Sequence, residues 1–299
     1  MRKISSKTLF LFLFLPVALY TVFFVWPSIK AFYISLTDWN GLSKDFNFIG
    51  LSNYKRLFHD DIFKLAFENT LVYTICAGLL VFLLSLLFCY LLSIPKMKGK
   101  KFFRGLFYFP NMVSSSAIAL LFVFVLNPSF GLLSSFLTKV GLDSWNIPFL
   151  GSRWSSLACV IVISAWTSVG YYFLIFMSGM DKISGNYYEA ARLDGATDRQ
   201  LFFKITLPMM KDVVIINMVL WLINGVKYFD MIWALTQGGP SNQTHTLATY
   251  MYQSAYGVKY VSINNKGQGT AIAVIMLLII ILGRFIINKA DKESDTIEY

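Results

Sequence analysis

Residues 189–208 read EAARLDGATDRQLFFKITLP, and they are the most polar long stretch between two strongly apolar parts of the chain. Short helical patterns lie on both sides of Gly195, and glycine tolerates the positive φ that a sharp turn between two helices requires. Pro208 stands where a following helix can begin, because its missing N–H costs nothing in a first turn. The pattern predicts two short helices joined at Gly195. Taken alone, it also fits a solvated connector without a role.

The composition predicts an integral membrane protein. Of the 299 residues, 56% are hydrophobic and 14% are charged, whereas about a quarter of the residues in a soluble domain are charged. The net charge of +10 is spread between apolar runs and forms no basic patch with aromatics, which argues against nucleic acid as a partner. The three cysteines lie in apolar runs and the two histidines are far apart, so the spacing predicts neither a disulfide nor a metal site.

Six apolar runs are long enough to cross a bilayer, which takes about 20 helical residues. We expect an all-α membrane protein in which residues 1–299 form a single transmembrane domain. The predicted spans are residues 9–36, 67–94, 105–126, 156–180, 213–236 and 270–287. The third of them is expected to be broken early, at Phe109-Pro110-Asn111. Residues 181–212 form a polar loop between the fourth and fifth spans.

Six spans put both termini on one side of the membrane, and the basic residues indicate which side. Of the 26 lysines and arginines, two lie within spans, 16 flank the side that carries the termini and the loop over 181–212, and eight flank the other side. The positive-inside rule then places both termini and the loop in the cytoplasm.

Polar side chains within a span usually face the protein interior or a water-filled path. Two spans carry such side chains at helical spacing on one face. The fourth span has Ser164, Thr167, Ser168 and Tyr171, and the fifth has Asn217, Trp221, Asn224 and Tyr228. An aromatic ring beside an amide is typical of sugar binding, because CH groups stack on the ring and hydroxyls bond the amide. Alternatively, the hydroxyls bond their own backbone carbonyls or a neighbouring helix.

Two charged residues, Lys227 and Asp230, flank the second stripe. We expect them to pair with each other or with a neighbouring span, and we do not expect a direct role in binding a substrate. No metal cluster and no pair of nucleophile and base is present in the sequence, so no catalytic residue is predicted and the chain is not expected to be an enzyme.

The loop residues resemble the EAA motif of ABC-importer permeases at every marked position and spacing. The matching positions are Glu189, Ala190, Ala191, Asp194, Gly195, Ile205, Leu207 and Pro208. Further segments, WNGL at 39–42 and LTQGGP at 235–240, extend the resemblance to sugar-type permeases over nearly the whole chain. One departure is Ser184, which stands where many relatives have proline.

The resemblance implies a permease subunit in the cytoplasmic (inner) membrane of a prokaryote. The loop would form coupling helices that dock on a cytosolic P-loop ATPase dimer. The other implied partners are a second six-span permease subunit, an extracellular solute-binding protein, a carbohydrate substrate and membrane lipid. The substrate site would lie between the two spans that flank the loop. Its residues would be Ser164, Thr167, Ser168, Tyr171, Trp221, Asn224, Gly225 and Tyr228. The chain itself would hold no cofactor, because it lacks a GxxxxGK[ST] phosphate loop, and ATP with magnesium is expected on the partner ATPase.

The expected function is to form half of the path for a carbohydrate, most simply an oligosaccharide. Two alternatives stay open. The first is the same class of importer with a polyol or glycerol phosphate as its substrate, although neither stripe contains the arginine that a phosphate would favour. The second is an ion-coupled secondary transporter, for which Glu68 and Asp230 are the only carboxylates within reach of a span.

Overall fold

The structure is a computed structural model that describes residues 6–94, 97–257 and 265–295, and the side chains of residues 12–94, 97–257 and 265–289. Within that part of the chain the regular structure is helical, and the only β contact is an isolated bridge between Thr37 and Phe48. The helices are α1 Ser6–Tyr20, α2 Trp26–Ile34, α3 Ser52–His59, α4 Asp61–Ser93, α5 Lys100–Met112, α6 Ser115–Val125, α7 Leu132–Lys139, α8 Arg153–Met180, α9 Gly185–Leu193, α10 Asp198–Leu201, α11 Leu207–Met209, α12 Lys211–Val226, α13 Asp230–Thr236, α14 Leu247–Tyr256 and α15 Lys266–Asp295. Two π-helical turns, Thr21–Val25 and Phe202–Thr206, and one 3-10 turn, Asp143–Trp145, complete the helical segments.

Five helical segments of the described chain are long and apolar enough to cross a membrane. They are Phe12–Ile34, Asp61–Ser93, Arg153–Met180, Lys211–Thr236 and Lys266–Lys289. The pair α5 and α6 provides a sixth span if the two bent helices are counted together. The predicted class, an all-α membrane protein, is confirmed. Several helices extend beyond the apolar runs that predicted them, because a helix continues through polar residues outside the apolar section.

The third predicted span, residues 105–126, is broken near Pro110, as the sequence indicated. It consists of α5 and α6, which are bent by 87° at the break between them. Pro110 lies near the end of α5 and removes a backbone donor. Val113 then adopts an extended conformation before α6 begins. A second reason for the break is the packing of α5 on α8, where the backbone of Phe107 lies against Gly170 so closely that a β-carbon at Gly170 would collide with it.

The fifth predicted span, residues 213–236, is also interrupted. Helix α12 ends at Val226 and α13 begins at Asp230. Gly225 weakens the end of α12, because glycine loses more backbone freedom in a helix than other residues do. Helix α13 packs against α6 and α8 after the break. This tertiary contact favours two helices over one. Local sequence patterns could not predict it.

The chain divides into two compact units, and the expectation of one domain stays a prediction. The first unit comprises residues 1–61 and 250–275. Within it, the buried Asn53 side chain donates to the carbonyls of Ser35 and Thr37 at 2.9 and 2.8 Å, which fixes the chain after α2. The second unit comprises residues 62–249 and 276–299. It contains an aromatic core in which Phe173 and Phe176 of α8 are fully buried.

Candidate functional sites

The second unit contains a polar cavity of about 490 Å³. Helices α4, α8 and α12 contribute its walls, together with the break between α5 and α6 and the break between α12 and α13. The lining residues are Tyr73, Pro110, Asn111, Val113, Ser115, Thr167, Ser168, Tyr171, Tyr172, Trp221, Asn224, Gly225, Lys227, Tyr228, Phe229 and Asp230. A cavity of this size, with aromatic walls and a few polar groups, has the general character of a small-molecule site.

The structure brings seven of the eight predicted substrate residues to this one cavity. They are Thr167, Ser168, Tyr171, Trp221, Asn224, Gly225 and Tyr228. The eighth, Ser164, is fully buried outside the lining, and its hydroxyl donates to the carbonyl of Ile161 at 3.2 Å. Ser164 thus bonds to a backbone carbonyl of its own helix. This was the alternative to substrate binding that the sequence left open for the hydroxyls of this stripe. Asn217, one turn below Trp221, is buried in the same way, and its amide donates to the carbonyl of Val213 at 3.1 Å.

Asn224 is the most exposed polar group of the fifth-span stripe. Its Nδ2 donates to the hydroxyl of Tyr172 at 3.3 Å, and its residue is exposed to the cavity. A carboxamide has two donor hydrogens and an acceptor oxygen. The contact with Tyr172 uses one donor, so Asn224 retains groups that can both donate to and accept from a bound molecule.

Trp221 is held by packing, and only a small part of it reaches the cavity. It is 7% exposed, its Nε1 donates to the carbonyl of Thr74 at 2.7 Å, and its ring lies 5.6 Å from that of Tyr172. A β-carbon at Gly78 would collide with the indole. The larger aromatic surface at the cavity belongs to Tyr171, which is 38% exposed. The stacking surface expected at Trp221 is therefore small, and Tyr171 is the better platform.

Sequence reasoning missed several lining residues. Asn111 and Ser115 reach the cavity because the chain breaks between α5 and α6; the sequence indicated the break at Phe109–Asn111 but not that these side chains would line a cavity. Lys227 and Asp230 also line the cavity. Both are exposed, and no ion pair joins them in the part of the chain that the structure describes. The expectation that they pair with each other or with a neighbouring span is wrong.

The loop between the fourth and fifth spans forms the two predicted short helices. Gly195 has a φ of +79° and joins α9 to α10. Ser184 caps α9 by accepting a hydrogen bond from the backbone N–H of Asn186 at 3.4 Å, so serine at this position starts the helix. Thr197 and Gln200 form a reciprocal capping box at the start of α10. Glu189 lies in the second turn of α9, and the first turn of α9 contains no acidic residue.

Two contacts tie the halves of this loop together. The Tyr188 hydroxyl lies 3.0 Å from Oγ1 of Thr206. The Thr206 hydroxyl donates to the carbonyl of Leu201 at 3.2 Å, so Tyr188 is the donor in the first contact. Arg192 and Asp198 form an ion pair at 3.6 Å across the turn. The loop is thereby bonded within itself on both sides of Gly195.

The outer surface of the loop combines charge with exposed apolar groups. Glu189, Ala190, Asp194 and Pro208 are exposed, while Ala191, Ile205 and Leu207 are half-buried. Leu193 is 90% exposed at the tip of α9.

A helical membrane protein that combines a polar cavity between its spans with a protruding, internally bonded loop has the parts of a transport protein. The sequence comparisons define the class further. Residues 90–293 match the family described as "Binding-protein-dependent transport system inner membrane component". The chain belongs to this family, and it is therefore a permease component of an ABC importer, a transport subunit and not an enzyme.

Relatives match over nearly the full length. The probable ABC transporter permease protein YurN of Bacillus subtilis is 35% identical over 92% of this chain and 94% of its own length. The multiple sugar-binding transport system permease protein MsmF of Streptococcus mutans is 33% identical over 93% of both chains. The sn-glycerol-3-phosphate transport system permease protein UgpA of Escherichia coli is 30% identical over 87% of this chain and 86% of its own.

The fold is also shared with a solved structure. The crystal structure of a bacterial ABC transporter involved in the import of the acidic polysaccharide alginate contains a chain that superposes with a TM-score of 0.79. That chain is 24% identical, and the match covers 94% of this chain and 95% of that one. This similarity confirms the helical permease fold.

Proposed function

We propose that this chain forms half of the translocation path of an ATP-driven importer for a carbohydrate, specifically an oligosaccharide that an extracellular binding protein delivers. The observation that carries the proposal is the convergence of the two stripes on one cavity of about 490 Å³. Helical spacing alone suggested each stripe, and residues of α8 and α12 line the same cavity. Polar groups from two spans that face one another are the expected arrangement for a substrate path.

The chemistry of the cavity suits a saccharide. Tyr171 offers an exposed ring for the CH face of a sugar. Ser168 and Asn224 offer hydroxyl and amide groups that both donate and accept, which matches sugar hydroxyls. MsmF is described as part of a multiple sugar-binding system, and a further relative, NgcF of Streptomyces coelicolor, as part of a diacetylchitobiose uptake system.

Glycerol phosphate is the second candidate substrate, because one relative is described as a glycerol-3-phosphate permease. Lys227 at the cavity wall favours an anion, and Asp230 on the same wall disfavours it. No arginine lines this cavity among the residues that the structure describes. The balance therefore favours a carbohydrate over a phosphate ester.

The remaining subunits follow from the family and the loop. A second six-span permease would complete the path. A pair of P-loop ATPases would bind ATP and magnesium, and the exposed surface of α9 with Leu193 at its tip would dock on them. Both termini and the loop would face the cytoplasm, as the excess of basic residues on that side indicates.

The proposed mechanism is alternating access. The contacts of Tyr188 with Thr206 and of Arg192 with Asp198 join the two short helices. Motion of the ATPases would then move the whole loop and, through α8 and α12, the walls of the cavity. Closure of the ATPases would open the cavity to the binding protein, and their separation would open it to the cytoplasm.

Two serines of α8, one turn apart, provide a matched test. Ser168 lines the cavity and Ser164 does not. We expect Ser168→Ala to raise the half-saturation concentration for saccharide uptake by roughly three- to tenfold, because one hydrogen bond contributes about 0.5–1.5 kcal/mol. Ser164→Ala should leave that concentration unchanged. The half-saturation concentrations of both variants are measured by the uptake of labelled oligosaccharides into vesicles that contain the complete complex. Equal half-saturation concentrations for the two variants would contradict the proposed site.

A further inference from the structure

Two charged side chains lie at the cavity wall, next to the break in the fifth span. Lys227 and Asp230 are the charged residues among those that line the cavity, as far as the structure describes it, and both are exposed. Charged side chains within a membrane span are costly and are retained where they face a polar path or a partner. Neither of them forms an ion pair with another described residue. Because both residues line the cavity, we take the polar path to be the feature that they face.

The break in the helix separates the two charges. Lys227 follows the last residue of α12, Phe229 has φ −122° and ψ −57°, and Asp230 is the first residue of α13. Residues three apart in an unbroken helix lie close enough to form a salt bridge. Here they remain unpaired with each other, so an ammonium donor and a carboxylate acceptor are both available to a bound molecule.

We propose that Lys227 and Asp230 form a charge-balanced ligand pair that makes this cavity select uncharged saccharides. This inference rests on the proposed function and specifies its substrate class. The Asp230 carboxylate accepts from one sugar hydroxyl, and the Lys227 ammonium donates to a hydroxyl or ring oxygen. Hydrogen bonds to charged groups are stronger than those between neutral groups, so neutral sugars gain from both residues.

An anionic solute gains much less binding free energy from the two residues. The attraction of a carboxylate or phosphate to Lys227 is offset by its repulsion from Asp230, and the two formal charges sum to zero. Dehydration of an ion is expensive unless a net opposite charge compensates it. The pair therefore excludes uronic acids and phosphate esters without a steric barrier. Removal of the Asp230 charge should shift the preference towards acidic solutes, and removal of the Lys227 charge should shift it away from them.

The test uses three variants of the complete complex, purified without the binding protein: Asp230→Asn, Lys227→Gln and the double variant. The probes are a panel of neutral hexose trisaccharides and the matching uronic acid trisaccharides. Ligand-detected NMR by saturation transfer reports millimolar binding, and the measured quantity is the ratio of the affinities for the acidic and the neutral probe.

We expect Asp230→Asn to raise this ratio about tenfold and Lys227→Gln to lower it about tenfold. These values follow from a unit charge at about 10 Å with an effective dielectric constant of about 20. The double variant should return the ratio to near that of the wild type, which a purely structural role of either residue would not produce. The melting temperature of each complex provides the folding control.

Two failures are distinguishable. If the wild-type complex binds neutral trisaccharides and the ratio is the same in all variants, the ligand pair is wrong while the saccharide site stands. If the intact wild-type complex binds no neutral probe of the panel, the carbohydrate proposal fails, and the ligand pair fails with it. A variant that loses stability with an unchanged ratio also overturns the pair, because its role would then be structural.

Discussion

Asn224→Ala should weaken saccharide uptake by about tenfold while the complex remains assembled. The carboxamide is exposed in the cavity, and its bond to the Tyr172 hydroxyl is long, at 3.3 Å. Loss of that bond costs about 0.5–1.5 kcal/mol of stability at most. Loss of a hydrogen bond to a desolvated sugar hydroxyl costs about 1–3 kcal/mol, and about 1.4 kcal/mol corresponds to a factor of ten in affinity.

Asn217→Ala is the matched control. Asn217 lies two turns earlier on the same helix, is fully buried outside the cavity and bonds to the carbonyl of Val213. Each variant removes one asparagine carboxamide from α12, at a different position. The assay is the initial rate of uptake against substrate concentration, measured beside the melting temperature of the purified complex. Asn224→Ala should raise the half-saturation concentration, and Asn217→Ala should change the melting temperature only.

A role of Asn224 in binding is excluded if Asn224→Ala lowers the melting temperature and leaves the half-saturation concentration unaltered. Asn224 would then connect helices through Tyr172, and the polar face of α12 would have no role in binding. Equal effects of the two variants on the half-saturation concentration would refute it as well, because Asn217 does not reach the cavity.

Three further predictions concern the turn at Gly195, the buried His245 and the orientation of the chain in the membrane. Gly195→Ala should uncouple ATP hydrolysis from uptake, because position 195 has a φ of +79°, which costs a residue with a β-carbon about 1–2 kcal/mol. Gly185→Ala is the control and should leave the coupling unchanged. Equal uptake per ATP hydrolysed in both variants would contradict this. Burial lowers the pKa of His245 to about 4 from 6.5, so the unfolded chain binds the proton more readily and stability should fall as the pH drops from about 6.5 towards 4. His245→Asn should flatten this decline in melting temperature, and an unchanged decline would contradict the assignment. A cysteine replacing the exposed Ser241 should react with an impermeant thiol reagent from outside and one replacing Asp198 should not, and the opposite labelling would reverse the orientation.

Local patterns predicted the parts of the site that depend on helix geometry alone. Thr167, Ser168 and Tyr171 line the cavity because a period of 3.6 residues fixes which side chains share a face. The same period included Ser164, which lies behind the wall. Periodicity defines a stripe of a helix, but the neighbouring helices decide how much of the stripe is covered.

The remaining parts depend on contacts between distant residues. The indole of Trp221 bonds to Thr74, which is 147 positions away in the chain, and this contact reduces the ring surface that reaches the cavity. The break after Val226 places Lys227 and Asp230 at the wall, and packing of α13 against α6 and α8 accompanies it. Gly195 was predictable, because its positive φ is a local property of the turn.

In the proposed function, this permease moves a carbohydrate by means of ATP that is hydrolysed on a partner subunit. The most direct measurement is the accumulation of a labelled neutral oligosaccharide in vesicles that contain the complete complex, with the binding protein on one side and ATP on the other. We expect accumulation that requires both the binding protein and ATP, and none when the partner ATPase is replaced by a variant that cannot hydrolyse ATP. Accumulation that a proton or sodium gradient drives in the absence of ATP would contradict it.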